Sequence, residues 1–370
     1  MEKKPKVIVV TGISGSRSKE FCTKYAPESK SVKVYHTGDM LYEKAKESFK
    51  DYTPKENLLN IELSTLNLLR NSVFKQIADE IKNPKKEYDR IIIDTHAKFF
   101  WNYVYHNAFD LSYLNMISAD LFITIIDKPS AILTNQRRKE MGRAQKHDLE
   151  DILFWQNNEV DTTEHMSAVG KQKPFYILPS KQDPIIIENL LKSKFLIYLS
   201  MPMTDCNSEA NSKVTDFAEK LNNVGIEITG CPTPVIDPRT IDIEHDKEIL
   251  KFMGKKDASE LDEAEKQVFE RFKLINDSQT IHRDLNWYIG KSTHVVAYYP
   301  PGTEISKGVS DECTRAFESR KYVYVVFPKK NKSPFIRISH DVFENGDEFL
   351  DFFKNHIKSK INDFKRSDKK

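Results

Sequence analysis

Two periods alternate along the chain. Short β-branched runs, KVIVVTG, VKVYHTG, RIIIDTH, LFITIID and PFYILPS, recur through the first half, and longer stretches with helical spacing separate them. Strands of this kind, alternating with helices, predict a parallel α/β sheet. The segment SKQDPIIIENLLKSK follows, and the pattern restarts at KFLIYLSMPMTD, with further strands expected at GIEITG, THVVAYYP and KYVYVVFP. The expected fold class is therefore α/β, with two tandem parallel-sheet domains of residues 1–191 and 192–370. A length of 370 residues suits two domains better than one core. From Cys231 to about Thr280 the chain turns Pro-rich and then charged. This stretch, about 232–280, reads as a loop with one or two exposed helices inserted in the second domain. No internal repeat is present.

Charge and cysteine usage narrow the partner. Lys and Arg total 57 against 55 Asp and Glu, and a formal charge of +2 gives no reason to expect nucleic acid or a membrane. A small molecule is the expected partner. The four cysteines, Cys22, Cys206, Cys231 and Cys313, lack zinc-site or redox-pair spacing and read as free thiols of a reducing compartment. The apolar run after MEKKPK is too short for a secretory or membrane segment and reads as a buried strand. A cytoplasmic protein is expected.

The first chemical motif follows the first strand. VIVVTG runs into GISGSRSKEF, a Gly-rich turn opening a helix. A phosphate-binding loop works by turning backbone N–H groups toward phosphates, with a Lys reaching the outer phosphate and a Ser or Thr reaching magnesium. Gly12, Gly15 and Ser16 suit such a turn. The Gly, Lys and Ser/Thr that should close it are replaced by Arg17, Ser18 and Lys19. From Lys6 to Leu190 the chain resembles archaeal-type adenylate kinases and the wider nucleoside monophosphate kinases. The resemblance rests on VTGISGS, YHTGDMLYEKAKE, RIIIDTHAK and SAILTNQRRKEMGR. It implies a P-loop kinase-like domain with Asp94 near magnesium and the phosphates. It also implies phosphate contacts from the lid arginines Arg137, Arg138 and Arg143, and Mg2+ and ATP as cofactors of this domain. Arg17 could substitute in part for the missing Lys, while Lys19, one residue late on the helix, would point about 100° away, and both stay candidate phosphate-binding residues. With no Lys in register, the developing charge on a transferred phosphoryl group lacks a main stabiliser. Nucleotide binding is expected here ahead of phosphoryl transfer.

The second motif is ISKGVSDECTRAF. Val309, Cys313, Ala316 and Phe317 form a stripe expected to be buried, with Asp311 opposite it and Glu312 on its flank, in the first turn of a helix. That turn follows a strand, where open α/β sheets collect ligands. The stretch IHRDLNWYIGKSTHVVAYYPPGTEISKGVSDECTRAF resembles the 2′-deoxynucleoside 5′-phosphate N-hydrolases, relatives of the nucleoside 2-deoxyribosyltransferases. FLIYLSMPMT and RKYVYVVFP resemble the same family's neighbouring strands. The resemblance implies a Rossmann-like domain with Glu312 as nucleophile, Asp284 assisting at sugar and base, Ser306 on a 5′-phosphate and Tyr198 as an orienting residue. Gly308 would permit close approach, and a homo-oligomer is implied. Met201 and Thr204 stand where the family carries Gly and Arg.

The joint expectation is a nucleotide N-glycosidase that cleaves or exchanges the base of a (deoxy)nucleoside 5′-monophosphate. It requires no cofactor and is paired with a nucleotide-binding domain. The alternatives are a nucleoside monophosphate kinase using Mg-ATP, with the second domain as sensor, and a catalytically inactive nucleotide-binding scaffold. Base, sugar, and hydrolysis against transfer stay open.

Overall fold

The computed structural model describes residues 4–25, 30–49, 55–84, 86–138, 147–169, 172–192, 195–203, 208–230, 232–240, 246–328 and 338–367. The backbone divides into two compact units, residues 1–185 with 242–278 and residues 186–241 with 279–370. Each is an α/β unit built on a parallel five-stranded sheet.

In the first unit the strands are β1 (Lys6–Thr11), β2 (Val32–His36), β3 (Arg90–Thr95), β6 (Leu121–Ile126) and β7 (Phe175–Pro179), in the order β2-β3-β1-β6-β7. The five runs read from the sequence are these five strands. β3 and β6 are buried at every position, and β1 at every position after Lys6. Their apolar runs therefore do not alternate with polar residues. A two-stranded antiparallel hairpin, β4 (Lys98–Trp101) and β5 (Val104–Asn107), follows β3. The helices include α1 (Ser18–Lys24), α2 (Thr37–Ser48), α3 (Leu63–Lys82), α4 (Leu111–Ile117), α5 (Pro129–Arg138) and α6 (Leu149–Ala168). After β1 the chain leaves past β3 to β2, and later fills the other side of β1 with β6. β1 and β3 thus flank the switch in strand order, where the carboxyl ends of a parallel sheet open a crevice.

Residues 242–278, expected as exposed helices of the second domain, cluster with the first unit instead. This unit also includes α9 (Asp246–Phe252) and most of α10 (Glu263–His282). Ile249, Leu250, Leu261, Phe269 and Phe272 are buried in one core with Leu133 of α5 and Ile152 and Trp155 of α6. Arg271 adds an ion pair to Glu150 at 2.6 Å. The charged composition of this stretch hid an apolar face carried by a few large side chains.

The second unit orders its strands β12-β11-β10-β8-β9, all parallel: β8 (Ile197–Ser200), β9 (Val235–Ile236), β10 (His294–Tyr298), β11 (Tyr322–Val326) and β12 (Asp341–Phe343). It begins at α7 (Ile186–Lys192), and its sheet packs with α8 (Ser208–Thr229), α11 (Lys307–Glu318) and α12 (Gly346–Ser367). The expected strand GIEITG is the last turn and a half of α8 and its end. The stripe Val214, Phe217, Leu221 and Val224 carries helical spacing into it, so continuing the helix buries more than a β-branched pair could nucleate alone. Phe317, expected in the buried stripe of α11, is 45% exposed near the helix end, while Val309, Cys313 and Ala316 are buried. Ile197 and Leu199 point into the core with α8 and α12, which turns Tyr198 and Ser200 to the opposite face. No helix of the described residues is long and apolar enough to cross a membrane.

Phe272→Ala is expected to destabilise the first unit by about 3–5 kcal/mol, the cost of emptying a packed aromatic site. A fall in the urea midpoint of that unit measures it, and an unchanged midpoint would mean that residues 242–278 do not share its core.

Candidate functional sites

In the second unit the side chains converge at the carboxyl end of β8, beside β10, where the strand order switches. Tyr198 and Ser200, two residues apart on one face of β8, both reach Glu312 of α11. The Tyr198 hydroxyl donates to Oε1 at 2.8 Å and the Ser200 hydroxyl donates to Oε2. The helix starts at Lys307 after the cap residue Ser306, so Glu312 lies in its second turn, not the first. Only the first four N–H groups of a helix are unpaired, so Glu312 is held by two hydroxyls and not by the helix end. Burial pushes its carboxyl up to about 7; the Ser200 and Tyr198 hydrogen bonds pull it down, and the negative charge of Asp284 adds to the rise.

Asp284 sits in a π-helical turn, Arg283–Tyr288, closed by the Ile289 N–H on the Asp284 carbonyl. Such turns widen a helix by one residue and re-aim its side chains. Arg283 Nε donates to Asp284 Oδ1 at 3.2 Å, and Arg315 of α11 donates to Asn286 at 2.9 Å, which ties the turn to the helix bearing Glu312. Burial raises the Asp284 carboxyl, against the pull of Arg283. Tyr288 stacks parallel to Tyr198 at 6.3 Å, and its buried hydroxyl has no hydrogen-bond partner among the described residues. Ser306 accepts two bonds from Ser310 through its carbonyl, and its side chain makes no capping bond. A Cβ at Gly308 would meet the Ser306 hydroxyl oxygen at 3.7 Å, an ordinary contact, and Asp311 is exposed. Met201 is buried in the core, and Thr204 lies outside the described residues. Ser200 was not singled out in the sequence, although its place two residues beyond Tyr198 was a usable signal.

In the first unit the Gly-rich turn closes by a Ser16 N–H to Ile13 carbonyl bond of 3.0 Å, with Gly15 and Arg17 at φ of 92° and 66°. A Cβ at Gly15 would stand 2.8 Å from the Ile132 carbonyl oxygen. Helix α5 braces the turn: Asn135 and Gln136 donate to the carbonyls of Gly15 and Ser14 at 2.9 and 2.6 Å. Beneath it lies Glu159 of α6, fully buried, accepting the N–H groups of Gly12 (3.0 Å), Ala97 (2.7 Å) and Lys98 (2.8 Å). One carboxylate thus joins the start of the loop to the end of β3. Burial pushes it up to about 8, against the three N–H donors. Glu159 falls seven residues after the buried Ile152, an acid on an apolar stripe, which was the signal available in the sequence.

A cavity of about 380 Å³ opens above the turn, at the ends of β1 and β3. Of the residues singled out in the sequence, Gly15, Arg17, Lys19 and Asp94 line it. Gly12 and Ser16 do not; Ser16 is fully buried under the loop. Arg137 and Arg138 do not line it either; the Arg137 guanidinium lies 5.2 Å from the ring centre of Phe252. Arg143 lies outside the described residues. Asp94 pairs with His36 at 2.8 Å, Lys19 pairs with Asp39, and Arg17 Nε lies 3.7 Å from Asp127. Phe99, Phe100, Trp101, His147 and Trp155 form an aromatic wall. Magnesium asks for oxygen donors, commonly one or two carboxylates completed by phosphates, so Asp94 and Asp39 fit it by type. Among the described residues no group of three or more His, Cys, Asp or Glu could hold a metal ion by itself.

Two outcomes test these geometries. Ser200→Ala and Tyr198→Phe each remove a donor to the ionised carboxylate and should raise the Glu312 pKa above about 7 by roughly one unit, read by carboxyl-carbon NMR titration. For Glu159 the folded pKa exceeds the ordinary value near 4.5, so the unfolded chain sheds this proton first as pH rises. Its contribution to stability therefore falls between about pH 4.5 and 8, by a few kcal/mol. The difference between the parent and Glu159→Gln in urea unfolding at pH 5 and pH 8 should carry that slope.

The family model of an AAA domain matches residues 11–153. None of the curated proteins matches the chain. A chain from the structure of the Pnkp1/Rnl/Hen1 RNA repair complex aligns over 88% of this chain and 97% of its own, at 12% identity and a TM-score of 0.29, a likeness that carries no argument. The N-terminal region, from the end of β1 into α6, thus matches a P-loop NTPase domain of the AAA type.

Proposed function

We propose that the second unit is a nucleotide N-glycosidase, cleaving or exchanging the base of a (deoxy)nucleoside 5′-monophosphate, and that the first unit binds a nucleotide. The observation that carries this reading is Glu312, half-buried at the strand-order switch with both carboxyl oxygens held by hydroxyls and Asp284 close enough to raise its pKa. Cleavage of a C1′–N bond develops positive charge on the sugar, which a carboxylate under C1′ stabilises. Glu312 would attack C1′ as the C1′–N electron pair leaves with the base, which takes a proton from Asp284. Water would then add to C1′, returning a proton to Asp284 and freeing the Glu312 carboxylate. A second base in place of water gives transfer. Tyr198 and Ser200 would aim the nucleophile.

The two carboxyls are coupled, the negative charge of Asp284 being one cause of the Glu312 rise. The reactive form, with one proton on Asp284 and Glu312 ionised, belongs to the singly protonated state of the pair and disappears with it as pH rises. Base release should therefore follow a bell-shaped pH profile whose alkaline limb lies at about 7.

Incubation with ribo- and deoxynucleoside monophosphates, with and without ATP, and chromatography for free base tests the proposal. The parent should release base, Glu312→Ala should fall to background, and Asp284→Asn should lose about 100-fold or more. No released base, or equal release by Glu312→Ala, refutes it.

The AAA-domain match favours a second reading, a nucleoside monophosphate kinase using Mg-ATP in the first unit. Phosphoryl transfer from ATP to a monophosphate that survives Glu312→Ala would decide for it. Absence of any turnover would leave a nucleotide-binding scaffold.

A further inference from the structure

We propose that the cavity of the first unit takes a nucleoside or nucleoside 5′-monophosphate and discriminates against the triphosphate. This rests on the reading that the first unit binds nucleotides, and it narrows the ligand class. A triphosphate site asks for unspent donors and cations along the loop; this loop has committed both its cations and two of its N–H groups elsewhere.

Charge is the first ground. Among the described lining residues the permanent cations are Arg17 and Lys19, against the acids Glu20, Asp39 and Asp94. Each cation already faces a carboxylate, Arg17 that of Asp127 and Lys19 that of Asp39. Asp127 is in turn fixed, accepting the Ser180 hydroxyl at 2.7 Å, so Arg17 would give up a well-placed partner to reach a phosphate. A monophosphate brings about two negative charges, and each further phosphate adds about one more. The added charge would meet acids, not unpaired cations.

The donors tell the same story. A Lys that reaches the outer phosphate is replaced by Ser18, and the N–H groups of Gly12 and Ser16 are spent on Glu159 and on the Ile13 carbonyl. Arg137 is engaged over Phe252, and neither it nor Arg138 lines the cavity.

What the cavity offers instead is an aromatic wall, with Phe99 and His147 half-buried along it and Phe100 and Trp155 buried behind. Phe100 stacks with His147 at 5.2 Å and with Tyr105 at 4.5 Å, and Trp155 closes on both Phe100 and His147. Aromatic faces hold any base by stacking, and a volume of 380 Å³ lies at the small end of ligand pockets. The Mg2+ that would accompany a triphosphate must draw on Asp94 and Asp39, which are paired with His36 and Lys19.

The test is calorimetric titration of the full chain, in a Glu312→Ala background so that no substrate is consumed, with adenosine, guanosine, cytidine and uridine, their monophosphates and their triphosphates, each with and without magnesium. At least one nucleoside or monophosphate should bind ten or more times tighter than its triphosphate in both conditions, and Asp39→Asn, which releases Lys19, should narrow that gap about tenfold. Phe99→Ala, which removes part of the aromatic wall, should weaken binding at least tenfold. A triphosphate that binds equally or more tightly overturns the inference while leaving nucleotide binding intact. Binding unaffected by Phe99→Ala places the ligand outside this cavity and also overturns it. If no nucleoside or nucleotide binds, the underlying reading fails along with the inference.

Discussion

Parallel strand pairing governs this protein. A strand that runs parallel to its neighbour can be reached only by a connection that returns across a face of the sheet, so helices cover both faces and apolar runs fill the central strands. What stays open is the end where the strands finish, at the place where successive crossovers part to opposite sides. Both units obey this. In one, Gly12 follows β1 and Asp94 lies near the end of β3; in the other, Tyr198 and Ser200 end β8 beside β10. The side chains that each unit brings together converge at these openings, beside rigid backbone.

The two units use a glutamate in contrasting ways, Glu159 fully buried and Glu312 half-buried. Glu159 faces three backbone N–H groups whose positions the fold dictates, and the result is a clamp between the loop and the end of β3. Glu312 faces two side-chain hydroxyls, which can rotate and exchange partners, and a second carboxyl that competes for the same proton. Burial raises both groups. The difference lies in the partners: fixed donors make a structural clamp, while rotatable donors leave a carboxyl that can engage a substrate atom. A phosphate loop braced from below by Glu159 and from the side by Asn135 and Gln136 is similarly held, with the N–H groups of Gly12 and Ser16 already engaged.

The match to an AAA domain and the details of the loop are compatible on physical grounds. A family pattern over residues 11–153 is carried mostly by strands, turns and helix faces, which keep a backbone shape. Whether that shape handles a triphosphate depends on a few cations. Here Ser18 replaces one of them, and acids hold Lys19 and Arg17.

The sequence by itself determined the fold class, most of the parallel strands and the neighbourhood of both sites, because strand runs and helical stripes are local periodicities set by burial. It also separated Asp311 from Glu312, since their places around a helix follow from 3.6 residues per turn. It failed where a few residues decide: GIEITG is β-branched yet continues the stripe of α8, and residues 242–278 look solvated yet bury Phe269 and Phe272 in the first unit. It placed Glu312 one turn too early because Ser306, and no residue downstream of it, caps α11. Only the tertiary structure brought Ser200 to Glu312, Glu159 beneath Gly12, and Asp39 to Lys19. Those contacts join residues between 20 and 147 positions apart, and no local period encodes which side chains meet across that distance.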